Sequence, residues 1–235
     1  MRLGKQPRSL IQIKEGSVNS LNKTLWLATA AATALASNSA QAFDPANLTM
    51  RARAAYLEPV NQNDAIAAFA VPSDSINVQK KMTADIDLEY AASDALGIEL
   101  QVLIPQRHRV TATQSLQGNN LDLGTISLLP LSLTAKYYLG TETFRPYLGG
   151  GINYTAFTDN TLSAPGAGSL DVRRSSFGGV LQAGFDYRLN ERWLVSVDAR
   201  KVWMDTSISS AGTRLTSMTI DPWIWGAGVG YRFGQ

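Results

Sequence analysis

The chain has 235 residues, no cysteine, 19 glycines and only 17% charged residues, with a formal net charge of +2. Absence of cysteine excludes a disulfide framework and thiol chemistry. A mean hydropathy of −0.08 is too polar for a bundle of membrane helices and ordinary for a β-barrel. Most of the basic excess sits at the front. Without residues 1–42 the chain holds 16 basic and 18 acidic residues, a net charge of about −2, so no nucleic-acid partner is expected.

The apolar helical run Leu25-Trp-Leu-Ala-Thr-Ala-Ala-Ala-Thr-Ala-Leu35 follows Lys23 and precedes Ser39-Ala-Gln-Ala42. It is too short to span a bilayer. A positive flank, a short apolar stretch and an A-x-A site predict a cleaved signal peptide over residues 1–42. Back-translation of Lys14-Glu-Gly allows a ribosome-binding sequence just upstream of Val18, so a start at a GTG codon there is an expectation of this reading.

From Leu48 the chain alternates at period 2. Met50, Ala52, Ala54 and Tyr56 fall on one face, and Thr49, Arg51, Arg53 and Ala55 on the other. Two arginines on one face of a strand require a polar lumen rather than lipid. Residues 59–80 read as a long loop. Met82 to Tyr90 puts Ile86, Leu88 and Tyr90 outward, and Asp85, Asp87 and Glu89 inward. A tight turn at Ala91–Asp94 leads to Leu96–Ile104, where Ile98, Leu100 and Val102 face out while Glu99, Gln101 and Leu103 face in. Residues 105–126 read as a second long loop. Leu128–Leu139 then places Leu131, Leu133 and Tyr137 outward against Ser132, Thr134, Lys136 and Tyr138.

After a turn at Gly140–Thr143, Phe144–Phe157 puts Leu148, Ile152 and Tyr154 out, with Arg145, Asn153 and Thr155 in. Residues 158–174 form a third loop rich in Gly, Pro and Ser. Ser176–Leu189 sets Phe177, Leu181, Phe185 and Tyr187 against Gln182, Asp186 and Arg188. A turn at Asn190–Arg192 leads to Trp193–Asp205, in which Lys201 breaks the alternation and calls for a bulge or an interfacial position. A fourth loop, 206–216, precedes the terminal strand. There Trp223, Trp225, Ala227, Val229, Tyr231 and Phe233 share one face, and Ile224, Gly226, Gly228, Gly230 and Arg232 the other.

Eight strands joined alternately by long loops and short turns predict an all-β fold: an eight-stranded antiparallel up-and-down transmembrane β-barrel. A soluble barrel of the lipocalin type has the same alternation with its apolar face turned inward. The leader, the aromatic strand ends and the uncharged apolar face favour the membrane version. The layout puts both termini and the short turns in the periplasm and the four long connections outside.

The stretch Phe144-Arg-Pro-Tyr-Leu-Gly-Gly-Gly-Ile-Asn-Tyr-Thr-Ala-Phe157 resembles the fifth strand of the OmpW family of bacterial outer-membrane proteins. Met50-Arg-Ala, Gly97-Ile-Glu-Leu100, Pro105-Gln-Arg-His-Arg109, Lys136-Tyr-Tyr138, Trp193-Leu-Val195, Asp221-Pro-Trp223 and Tyr231-Arg-Phe233 support it, in family order across nearly all of 43–235. The resemblance implies an eight-stranded barrel in Gram-negative outer membranes that passes small hydrophobic molecules. It also implies a terminal aromatic signal for the barrel-assembly machinery, carried here by Tyr231 and Phe233, although Gly234-Gln235 follow. The family's His-Leu-Pro-Pro stretch is Ser127-Leu-Leu-Pro130 in this chain.

Two groups of inward residues stand out. Arg51, Arg53, Asp85, Asp87, Glu99, Gln101, Lys136, Asp186, Asp198 and Arg200 form a candidate polar plug, because buried charges must pair. Leu103, Phe157, Val202 and Met204, at the long-loop ends of their strands, form a candidate apolar vestibule. Gln101 and Arg200 just below it argue against a continuous apolar conduit. The sole histidine, His108, lies between Arg107 and Arg109 and reads as part of a cation cluster facing lipopolysaccharide phosphates. No nucleophile elbow, phosphate loop or metal-ligand spacing appears, so neither an enzyme nor a cofactor is expected. Outer-membrane lipid, lipopolysaccharide and small hydrophobic solutes are the expected partners. The competing reading is a structural or surface-interaction barrel that transports nothing.

Overall fold

The computed structural model describes residues 44–66, 71–112, 121–140, 143–164 and 168–234; the expected leader, residues 1–42, lies outside them. Eight long strands build the barrel: β1 (Leu48–Glu58), β2 (Lys81–Ala91), β3 (Leu96–Leu103), β4 (Leu121–Tyr138), β5 (Phe144–Thr158), β6 (Ser175–Arg188), β7 (Trp193–Val202) and β8 (Trp223–Arg232). Each pairs antiparallel with its sequence neighbours, and β1 pairs with β8 from Thr49↔Arg232 to Glu58↔Trp223, so the sheet closes without a free edge. Closure is obligatory in hydrocarbon, where an unpaired backbone group has no water to turn to.

Sorting of the two faces decides between the soluble and the membrane barrel. Leu148 is 57% exposed and Trp225 50%, whereas Arg51 is 1% exposed and Lys136 is fully buried. Large apolar side chains cover the outside and charges fill the inside. That surface is stable only against lipid. Aromatic pairs lie near both ends of the belt: Trp193–Tyr231 and Phe144–Phe185 at the short-turn end, Trp223 stacked on Trp225 at the other. Lys201 sits among the latter, its ammonium 5.5 Å from the Trp223 ring and donating to the Asp221 carbonyl. An interfacial lysine of this kind keeps its charge at the water boundary.

The glycines on the inner face of β8 have a steric cause. A Cβ at Gly226 would meet Asp198 Oδ1 and lie 2.9 Å from Arg200 Nη2, and one at Gly230 would lie 2.9 Å from Arg51 Cγ. The bare backbone gives the long arginines of β1 and β7 room to cross the lumen.

The long connections differ from the sequence expectation. Within 105–126, Gln106–Ala112 pairs antiparallel with Leu121–Leu128, so β4 starts seven residues earlier than its apolar pattern suggested. Residues 206–216 lie in a hairpin of Asp205–Ser210 and Thr213–Thr219, turning at Ala211–Gly212. Within 59–80, Ile76–Val78 pairs with Val110–Ala112, and Gln62–Asn63 pairs with Met218–Thr219. In 158–174, Asp171–Val172 adds to Ile208–Ser209. The physical reason is visible in burial. His108, Val110 and Ala112 point inward and Arg107 and Arg109 outward, so alternation continues past Pro105 with enough apolar weight to pack a core. The barrel thereby extends well beyond its lipid-facing belt at the long-connection end.

Candidate functional site

The interior has two layers. The lower one, towards the short turns, is ionic. Arg51 from β1 reaches Asp87 (3.0 Å) and Glu89 (3.1 Å) on β2 with Nη1, and Asp186 (2.6 Å) on β6 with Nη2. Arg53, two residues on, points the same way and engages Asp85 (2.9 Å), Asp87 (2.6 Å) and Asp198 (3.3 Å). Lys136 of β4 bridges Glu89 (2.9 Å) and Glu99 (2.5 Å). Arg200 of β7 joins Asp85 (2.6 Å) to Asp198 (3.0 Å). Glu99 also accepts from Thr134 and from Gln182 Nε2. All ten residues expected in the plug are buried, and nine of them form this one network; Gln101 is buried beside it.

Beyond those ten the network takes in Glu89, Thr134 and Gln182, and two tyrosines join it. The Tyr138 hydroxyl lies 2.8 Å from Glu89, and the ring of Tyr147 carries the Lys136 ammonium 4.3 Å from its centroid. Tyr138 was on the inward face, but Tyr147 was legible only by parity with the outward Leu148. Its lack of charge gave no second signal.

The upper layer is apolar. Leu103, Phe157, Val202 and Met204 are each 9% exposed or less and belong to one cluster, which Leu57 and Ile224 complete. The cluster continues into the extension, where the hairpin strands contribute Val110, Ile126, Ile208 and Met218. The four residues lie together in one cluster, beneath packed side chains rather than at an open mouth. Where the layers touch, Ser132 donates to Asn153 (3.0 Å), Asn153 to Thr155 (2.8 Å), and the Thr155 hydroxyl lies 3.9 Å from Met204 Sδ.

On one side of this upper layer the wall is interrupted. The β3–β4 ladder ends at Val102↔Leu131, and the next pairing along β4 is Gln106↔Leu128. Pro105 and Pro130 fall between them, and proline has no N–H to donate. Pro130 is buried and Ile104 is exposed, so the break lies between the apolar cluster and the lipid face.

His108 corrects an expectation. It is 3% exposed and does not face outward with its neighbours; its Nδ1 lies 2.9 Å from the Gln79 carbonyl and so donates to it. Burial holds its pKa below the ordinary histidine value; the Gln79 hydrogen bond opposes this, and Lys81 nearby adds to the lowering. Arg107 and Arg109 are exposed and pair loosely with Asp159 (3.8 Å) and Asp122 (3.6 Å). At the chain end, Tyr231 packs its ring against Trp193 and Phe233, with Phe233 exposed on the lipid side.

The family model for the OmpW family matches residues 45–233. The chain belongs to the OmpW family. Outer membrane protein W of Escherichia coli (strain K12) is 34% identical over 223 residues, covering 90% of this chain and all of that protein. A Pseudomonas aeruginosa protein named dibenzothiophene metabolism operon protein PahQ is 29% identical over 173 residues, covering 69% of this chain and 77% of its own length. Among solved structures, the outer membrane protein OprG from Pseudomonas aeruginosa superposes with a TM-score of 0.68 at 28% identity, covering 80% of this chain and 96% of that one. This OmpW-family chain is thus an outer-membrane β-barrel, with the inside-out sorting such a barrel needs.

Proposed function

We propose that this barrel is a conduit for small hydrophobic molecules crossing the outer membrane, and that its role is non-catalytic. The observation that carries the reading is the pairing of an apolar upper layer with a proline-marked break in the wall beside it. An apolar solute gains burial only in that upper layer, roughly 1.5–3 kcal/mol for a side chain's worth of surface. The ion-paired layer beneath opposes straight passage, because opening it would strand buried charges. A solute therefore leaves sideways, between Pro105 and Pro130, into the membrane. The name of the related PahQ protein, tied to dibenzothiophene metabolism, agrees with an apolar cargo.

The burial of Leu103, Phe157, Val202 and Met204 favours a second reading, a structural or surface-interaction barrel with no transport. The Leu103→Asp/Met204→Asp double variant separates the two. Uptake of a hydrophobic probe by cells carrying it should be abolished, while the folded, heat-modifiable barrel persists at normal levels. Unchanged uptake at normal levels would leave the structural barrel as the better account.

A further inference from the structure

The floor of the apolar layer is not apolar, and its composition says what kind of solute it suits. Gln101 lies one inward step below Leu103 on β3, Thr155 one step below Phe157 on β5, and Arg200 one step below Val202 on β7. Gln101 is 3% exposed and Arg200 1%. Burying a donor with no acceptor costs free energy unless a partner arrives. Among the described residues, Gln101 Nε2 and Arg200 Nη1 have no hydrogen-bond partner. Gln101 stands beside the ionic network, and Arg200, which belongs to it through its bonds to Asp85 and Asp198, has Nη1 left over. Thr155 does not compete for a solute's acceptor, since it sits between the Asn153 amide and Met204.

We propose, resting on the conduit reading, that the apolar layer opens to take amphipathic solutes: an apolar body carrying one uncharged hydrogen-bond acceptor, such as a ketone, aldehyde or ester carbonyl. The acceptor seats on Gln101 Nε2, with Arg200 Nη1 as the second donor, and the body lies among Leu103, Phe157 and Met204. The preference for a neutral head follows from the charge below. Among the buried charges, six carboxylates (Asp85, Asp87, Glu89, Glu99, Asp186 and Asp198) face four cations (Arg51, Arg53, Lys136 and Arg200), and Asp85 is already within 2.6 Å of Arg200. The half-buried Arg145 and Arg188 lie further down, near the short turns. A carboxylate head would enter against that surplus, whereas a carbonyl oxygen brings an acceptor without a charge. A pure alkane would leave both donors unanswered.

The test compares uptake of decane, 2-decanone and decanoate by cells that express the full chain or its Gln101→Met variant, which keeps the side chain's shape and removes the donor. The ketone-to-alkane uptake ratio should fall about three- to tenfold in the variant, the range for losing one hydrogen bond to an uncharged group. Decanoate should enter less readily than the ketone through the unmodified barrel. Uptake of both neutral probes with an unchanged ratio would overturn this inference and leave the conduit standing. Uptake of none above a control without the barrel would overturn the conduit and the inference with it. Should Gln101→Met fail to assemble, the unmodified barrel in lipid bilayers decides. Carbonyl-labelled 2-decanone should show a magnetic-resonance contact to a side-chain amide nitrogen, and its absence at saturating ketone would refute the proposed seat.

Discussion

The two halves of the lumen are built from the same strands and obey opposite rules. In the lower half the charged inward side chains each demand a specific partner: Arg53 alone holds Asp85, Asp87 and Asp198. In the upper half Leu103, Val202 and Ile224 need only volume and the exclusion of water. The lower layer is therefore specified by geometry, because a buried charge without its counter-charge is costly. The upper layer is specified by shape and can rearrange around a guest without stranding a charge. A barrel that must hold its seal and still admit a solute can divide the two tasks in this way.

The sharpest way to break this comparison is to remove one centre of the ionic layer. Arg53→Ala takes one of two cationic partners from each of Asp85, Asp87 and Asp198 and should cost about 3–5 kcal/mol of folding free energy. Arg107→Ala, which cuts an exposed pair 3.8 Å long, should cost no more than about 1 kcal/mol. Folding titrations in bilayers read both, and similar costs would mean the lower layer is wetter and looser than its burial implies. Next in size is the contrast between the two faces of β3. Leu100→Arg, facing hydrocarbon, should cost roughly 2–4 kcal/mol. Gln101→Arg, pointing into the lumen beside surplus carboxylates, should cost less. The reverse order in the same titrations would invert the assigned faces.

A smaller effect is expected at the top. His108 is buried and its pKa is held below the ordinary value, so the folded extension favours the neutral ring. Its contribution is fully present above the ordinary value near 6.5 and is lost as pH falls through the depressed one. Protease cleavage within 59–80 should then rise in mildly acidic buffer, and a His108→Phe variant should lose that pH dependence while the ionic layer holds. The mildest test concerns orientation and leaves the fold untouched. Protease applied to intact cells should spare the turns at Ala91–Asp94 and Asn190–Arg192 and reach the tips of the long connections. Cuts at the short turns alone would turn the barrel over.

How much of this was legible follows from where the physics is local. Period-2 alternation is a property of one strand, so the sequence determined by itself that Arg51, Asp87, Lys136 and Asp198 face inward, that eight strands close the barrel, and that the long connections share one end. Alternation alone could not say which side of the sheet faces inward; the leader and the aromatic strand ends pointed to the membrane version, and the closed barrel, with Leu148 and Trp225 exposed and Arg51 sealed, decided it. Nor could it pair the charges, because Arg51 meets Asp186 across 135 residues and the partner depends on barrel diameter and stagger. The strands hidden in 105–126 and 206–216 were missed because their core forms only when four connections pack together. His108 was misplaced for the same reason, since its burial comes from the segment around Gln79 rather than from its own strand. Alternation assigns each side chain a face, while burial and partners are set by what the rest of the chain brings to that face.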